Sequence, residues 1–244
     1  KIKNINIFRN KTSIYKYMNF ENFKKKDLKF LNLGALTNTH PNKNYLNYIG
    51  INPPNKFQNK IIDLKSGKLI DHPENTKLKH GCNIIDIQNY PNTIIHDIEK
   101  PFPLPDNCVD RILSEHCFEH IEITKYPQIL KELYRILKPG GVFRLAVPDY
   151  LHPNLKHHIS MGYDTSNNLH ITLTNYNLLK PYFDNTKFKV YYLHYWKDNE
   201  TFVENKINYS NGYIKRTPDN DERNKKNNSF GRLLVTSFIC DLIK

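Results

Sequence analysis

Side chains able to move protons gather at a few points of this sequence. Asp97 closes the run TIIHDI, Ser114, Glu115 and His116 close CVDRILSEH, and Asp149 follows VFRLAVP. Glu119 and His120 stand just beyond His116, and a later stretch holds His152, His157, His158 and His170. Imidazole titrates near pH 6.5, which suits it to accept a proton from an attacking group near neutrality. His116 is therefore the candidate base, with Asp149 and His170 as further catalytic candidates. The histidine spacings fit no metal motif, and Cys82, Cys108, Cys117 and Cys240 form no C-x-x-C pair. No metal is expected.

The elements that must position these residues are legible around them. TIIHDI, CVDRILSEH and VFRLAV are short β-leaning runs, and a proline-rich loop with a turn at Asp106-Asn107 separates the first two. Between the second and third, Tyr126, Ile129, Leu130, Leu133, Ile136 and Leu137 make one apolar stripe at the helical period. Thr124 is expected to cap that helix, Pro127 suits its first turn, and Lys138-Pro139-Gly140-Gly141 stops it. Strand, helix, strand with a short return implies parallel strands joined by a right-handed crossover. Ligands of such sheets sit at the carboxyl ends of the strands, so Asp97, Ser114–His116 and Asp149 are expected on one rim.

Upstream, KFLNLG reads as a first strand ending at Gly34, and NYIGIN as a second ending at Asn52. A rival second strand, NIIDI, ends near Asp86; the spacing from Gly34 favours Asn52. Residues 55–90 then form an insertion, with KIIDLKSGKLI a hairpin turning at Ser66-Gly67. Downstream, Thr174 is expected to cap a helix bearing Tyr176, Leu178, Leu179, Tyr182 and Phe183. KFKVYYLHYW and LLVTSFICDLI read as strands, and the His-rich stretch between Asp149 and that helix as a loop on the substrate side.

The ordered string D-I-x-K-P-F-P-L-P-D-N-x-V-D, S-E-x-x-x-E-H-I and L-K-E-L-Y-R-I-L-K-P-G-G-x-x-R-L-x-V-P-D resembles class I S-adenosylmethionine-dependent methyltransferases. More narrowly, it resembles the small methyltransferases of the type 11-like group associated with surface-glycan synthesis, and the tail G-Y-I-K-R-T-P-D-x-D-E-R resembles theirs too. The resemblance implies a Rossmann-like α/β domain over residues 28–244. Its mainly parallel seven-stranded sheet would carry helices on both faces and an antiparallel last strand. It implies S-adenosylmethionine as cofactor, with Leu33, Gly34 and Ala35 at the methionine moiety and Asn52 or Asp86 at the ribose. Asp97 and Ile98 would lie at the adenine, with Ser114 and Glu115 where cofactor meets substrate. The Glu119-His120 pair is expected to order the helix start, and Arg216, Asp219, Asp221 and Arg223 to clamp a loop. The chain departs from the family in having one glycine in its first loop and an amide at Asn52.

The 244 residues carry a net charge of +12, but residues 1–26 hold eight Lys and Arg against Glu21, leaving only +5 on the remainder. A basic arm (residues 1–27) on a nearly balanced domain reads as a solvated tail more readily than as a nucleic-acid groove. No apolar run of ~18 residues marks a membrane span, and the unpaired cysteines fit reduced thiols in the cytoplasm. The expected activity is methyl transfer to a hydroxyl of a small molecule or glycan. Two rivals stand beside it: a binding or regulatory domain with little turnover, and a nucleic-acid methyltransferase that uses the arm.

Overall fold

The computed structural model describes residues 20–26, 29–34, 48–52, 60–62, 69–71, 93–153, 170–198, 200–220 and 237–244. Ten strands fall among them: β1 (Phe30–Leu33), β2 (Tyr48–Asn52), β3 (Lys60–Ile62), β4 (Leu69–Asp71), β5 (Thr93–Ile95), β6 (Val109–Glu115), β7 (Leu137–Pro148), β8 (Lys189–Trp196), β9 (Phe202–Glu204) and β10 (Ser237–Ile243). The helices are α1 (Phe20–Lys24), α2 (Tyr126–Ile136) and α3 (Tyr176–Asp184).

Eight strands form one sheet in the order β5-β2-β1-β6-β7-β10-β8-β9. The first five of that order run parallel. The last strand of the chain, β10, enters antiparallel between β7 and β8, as the resemblance implied. The count exceeds the expected seven because the chain turns back after Trp196 and adds β9 as an antiparallel edge. Asn52 ends a strand paired to β1, so NYIGIN is the second strand of the sheet, while Ala35 and Asp86 lie outside the described residues. The paired segments β3 and β4 make the predicted hairpin.

Period-2 alternation divides the core. Leu31, Leu33, Phe143, Leu145, Val147, Phe238, Cys240 and Leu242 pack with Phe23, Leu130, Leu133, Leu179 and Phe183 of the helices. Their neighbours Leu113, Ala146, Leu193 and Ile239 face the other way, against Ile207, Tyr213 and Ile214. Helices were expected on both faces; the described ones share a single face, and the tail covers the second. Among the described residues no helix is long and apolar enough to cross a membrane.

Helix α2 buries Tyr126, Ile129, Leu130, Leu133 and Ile136, the stripe read from the sequence, and has Pro127 in its first turn. Thr124 does not cap it, because a 3₁₀ turn (Ile123–Lys125) leads directly into the helix. At α3 the cap is Asn175, whose Oδ1 accepts from the Leu178 N–H at 3.0 Å. Thr174 instead donates to the Pro148 carbonyl at 2.6 Å. The proline-rich loop buries Phe102 and Leu104, and α2 satisfies its backbone. Arg135 donates to the carbonyls of Leu104 and Phe102, and Glu132 accepts from the Phe102 N–H at 2.7 Å.

Phe23 is fully buried in the main core, and Phe20 packs edge-on against His96 and Phe102. The domain therefore begins upstream of residue 28, and α1 belongs to it. Phe23→Ala is expected to cost about 3–5 kcal/mol, the usual loss for an aromatic truncated in a core. Chemical denaturation of the variant measures it, and an unchanged midpoint would return α1 to the arm.

Among the described residues the largest fully buried side chain is Arg144. Its guanidinium forms a two-pronged pair with Asp241, at 2.7 and 2.8 Å, across paired strands β7 and β10. A further N–H reaches the Gly212 carbonyl at 2.5 Å. Removing one partner strands the other charge in the interior, so Arg144→Ala should cost about 3–5 kcal/mol. Exchanging both for apolar residues, Arg144→Met with Asp241→Leu, should lose clearly less. Equal losses from the single and double variants would contradict this account of the pair.

Candidate active site

Asp97 follows β5, Asn52 ends β2, Gly34 follows β1, and Glu115 and His116 close β6. These four strands are parallel neighbours, so the residues stand along one edge of the sheet in that order. Asp149 follows β7, the next parallel strand, and extends the row.

The acidic side chains Asp97, Glu115 and Asp149 at that edge are already engaged within the chain. Asp97 accepts from the Glu99 N–H at 3.0 Å, closing the turn after β5. Ile98 is buried in the apolar core, so its backbone is what it can offer a ligand. Leu33 and Ser114 are fully buried at the ends of their strands. Glu115 accepts from the backbone N–H groups of Lys215 and Arg216, at 3.2 and 2.8 Å. That contact draws the tail segment over the end of β6.

Gly34 has φ +67, in the left-handed region where a Cβ is strained. A Cβ there would also lie 2.5 Å from Cys117 Sγ. The requirement for glycine thus comes from the backbone and from Cys117, independent of any ligand. Burial, together with the charge of Glu119, pushes the Cys117 thiol up to about 12.

His116 also has a positive φ, +54, a strained conformation of the kind that clusters at functional turns. Its Nε2 lies 2.8 Å from Ser237 Oγ and its Nδ1 2.7 Å from an Arg216 guanidinium nitrogen. Guanidinium only donates, so Nδ1 accepts and the neutral ring carries its proton on Nε2. A base role at Nδ1 therefore requires Arg216 to move away. Of the four residues expected to clamp a loop, Arg216 reaches the end of β6 through Glu115 and His116, Asp219 lies beside His194 and Glu204, and Asp221 and Arg223 lie outside the described residues.

Asp149 is a clamp. Its Oδ1 accepts from the Leu151 N–H at 3.1 Å and its Oδ2 from the Trp196 N–H at 2.7 Å, joining the ends of β7 and β8. Of the expected catalytic residues, it is thus the one the fold commits to structure.

The group that the sequence reading underrated is Glu119. Its side chain is 1% exposed, and among the described residues neither carboxylate oxygen accepts a hydrogen bond from a neighbour. Three imidazoles surround Oε1: His116 Nδ1 at 3.6 Å, His120 Nε2 at 3.8 Å and His170 Nε2 at 3.9 Å. Burial pushes this carboxyl up to about 8, with its own backbone N–H and the Arg216 charge acting the other way. The Glu119 carbonyl meanwhile accepts from the N–H groups of Ile171 and Thr172, at 2.9 and 3.0 Å. Those bonds bring His170 back over the turn that carries Glu119. No spacing rule exposes such a juxtaposition, because it depends on His170, Ile171 and Thr172 meeting a turn far earlier in the sequence. The described residues also line an open polar cleft with His194, Glu204, Lys206, Tyr209 and Asp219, and none of the expected catalytic or cofactor-binding residues borders it.

Residues 74–145 match the family model described as a methyltransferase domain. Demethylmenaquinone methyltransferase of Listeria welshimeri is 39% identical over 62 residues, covering 25% of this chain and 25% of that protein. The Listeria monocytogenes protein of the same description is 39% identical over 62 residues, 25% of this chain and 24% of its own. The match thus spans about a quarter of the length of these curated relatives. Among solved structures, a SAM-dependent methyltransferase from Archaeoglobus fulgidus aligns with 92% of this chain and 88% of its own, at 15% identity and a TM-score of 0.45. One from Thermotoga maritima aligns with 90% of this chain and 83% of its own, at 14% identity and a TM-score of 0.49.

Asp149 provides a pH test of the rim. Burial raises its carboxyl from 3.8 to about 6 despite the two N–H donors. The folded state therefore binds this proton more tightly than the unfolded chain, so stability falls as pH rises from about 4 to about 6. The loss attributable to Asp149 is on the order of 3 kcal/mol. Urea midpoints across that range should fall less steeply in Asp149→Asn than in the parent chain. Identical slopes would show that the carboxyl titrates normally.

Proposed function

We propose that this chain, a class I methyltransferase by its domain match and sheet topology, transfers the methyl group of S-adenosylmethionine to a hydroxyl on a small molecule or glycan. The observation that carries the reading is the row of strand ends at one edge of the sheet: Asp97, Asn52, Gly34 and Glu115, from β5 to β6. On this reading Asp97 and the Ile98 backbone meet the adenine, and Asn52 meets the ribose. Leu33, Gly34 and Ala35 pass beside the methionine moiety, with Ser114 and Glu115 flanking it.

The chemistry is one in-line displacement. The acceptor oxygen attacks the methyl carbon, the carbon–sulfur bond breaks as the oxygen–carbon bond forms, and the hydroxyl proton departs to a base. The sulfonium is an activated donor, so fixing both reactants in near-attack geometry supplies much of the rate. His116 is the proton acceptor on this reading, once Arg216 releases its Nδ1. One observation favours a binding domain with weak turnover: Glu115 is taken up by the N–H groups of the tail. Five of the positive charges on the first 26 residues (Lys1, Lys3, Arg9, Lys11 and Lys16) precede α1, and a basic tail of this kind gives nucleic acid little support as the acceptor.

Calorimetric titration with S-adenosylmethionine tests the reading. Asp97→Ala should weaken binding about tenfold or more, the value of a charge-assisted hydrogen bond. Restoring an acid with Asn52→Asp should tighten it by about 1 kcal/mol, while Asp86→Ala should leave it unchanged. Absence of saturable binding by the parent chain at millimolar cofactor would overturn the assignment. Saturable binding without methyl transfer to any hydroxyl acceptor would leave the binding-domain reading.

A further inference from the structure

Glu119 and His120 lie at the turn leaving β6, and His170 returns across that turn. One ligating atom from each of these three residues lies within 4.8 Å of the others. We infer that Glu119, His120 and His170 bind a divalent transition-metal ion, with coordination positions left open toward solvent.

Several independent features support this. Ionising a carboxyl buried to 1% exposure without hydrogen-bond donors from its described neighbours is costly, and a bound cation in place of its proton offsets that cost. The donor set is two imidazoles and one carboxylate, which suits zinc, cobalt, manganese or iron better than magnesium. The Glu119 oxygen lies 3.8 Å from His120 Nε2 and 3.9 Å from His170 Nε2. A tetrahedral ion with ligands at 2.0–2.1 Å would draw such atoms to ~3.3 Å apart. The two oxygen–nitrogen separations would each close by about half an ångström, within reach of side-chain rotation.

The surroundings are those of a metal-binding histidine. His170 Nδ1 lies 2.5 Å from the Tyr150 hydroxyl, which fixes the ring with Nε2 toward Glu119. A second partner of this kind orients the ligand and sets its tautomer. When a metal takes Nε2, the Nδ1 proton points at the Tyr150 oxygen. The site is anchored by the Glu119 carbonyl, which accepts from Ile171 and Thr172, and by the Thr172 hydroxyl, which donates to the Ile121 carbonyl at 2.6 Å. Access is through His120, whose side chain is 45% exposed. The rings of His120 and His170 stand edge to face with centroids 4.9 Å apart.

The role of the ion rests on the methyl-transfer reading. Coordinating the acceptor hydroxyl lowers its pKa, as a metal does for bound water. The oxygen is then deprotonated at lower cost as it attacks the methyl carbon, and its proton passes to solvent through the open side. No oxidant or reductant is involved.

Cobalt(II) is the probe. The whole 244-residue chain is stripped with chelator, dialysed, and titrated with Co²⁺ while visible absorption and heat are recorded. One Co²⁺ per chain is expected, with d–d bands of a low-symmetry nitrogen and oxygen site. His120→Ala removes a ligand at an exposed position and should fold normally; it and His170→Ala should each weaken binding by about tenfold or more. His152→Ala, a buried histidine outside the cluster, should not. Lack of stoichiometric Co²⁺ binding by the parent chain would overturn the proposal, as would binding that survives both ligand variants. The readout is separate from the cofactor titration. A chain that binds S-adenosylmethionine but no Co²⁺ sinks the metal site alone, and one that binds Co²⁺ but no cofactor sinks the methyl-transfer reading alone.

Discussion

The buried ion pair between Arg144 and Asp241 is the interaction on which most of this architecture depends. It joins the last parallel strand, β7, to the antiparallel β10, whose other edge carries β8. A slip of one residue would turn Arg144 to the opposite face and leave both charges unpaired in a dry interior, so the pair specifies register. The same guanidinium holds the Gly212 carbonyl. From Gly212 the chain runs three residues to Lys215, whose N–H, with that of Arg216, reaches Glu115. The tail is thereby seated on the sheet face that the described helices leave uncovered, and its Arg216 reaches His116. One interior arginine thus connects sheet register to the polar edge.

Around that edge the fold separates support from chemistry. Asp149 and Glu115 spend their oxygens on backbone N–H groups, binding strand ends and tail together. Gly34 is required by its φ and by Cys117. Glu119 differs in kind, since its backbone does the anchoring while its carboxylate is left among imidazoles. Groups that are buried and yet electrostatically unsettled are where function concentrates.

Much of this was legible in the sequence, for identifiable reasons. The α2 stripe and the parallel strand runs follow from periodicity, which reports burial directly. The order Asp97, Asn52, Gly34, Glu115 along the sheet follows from the crossover rule once the strands are found. The helix caps were misread because a cap is set by local backbone geometry: a 3₁₀ turn displaced Thr124, and Thr174 found a carbonyl partner instead. The extra edge strand β9 was missed because Phe202–Glu204 is too short to show alternation. The roles of Asp149 and Glu119 could not be told apart beforehand. Both are acids just after a strand, and only the positions of Trp196 and His170 distinguish them.

The contact between Gly34 and Cys117 has a mechanical consequence. An added Cβ would be 2.5 Å from the thiol, so the two turns meet with no compressible gap between them. Close-packed interiors transmit displacement instead of absorbing it. The turn after β1 and the turn after β6 therefore act as a single lever. A side chain enlarged at either position would have to displace the opposite turn, and Glu119 stands two residues beyond Cys117.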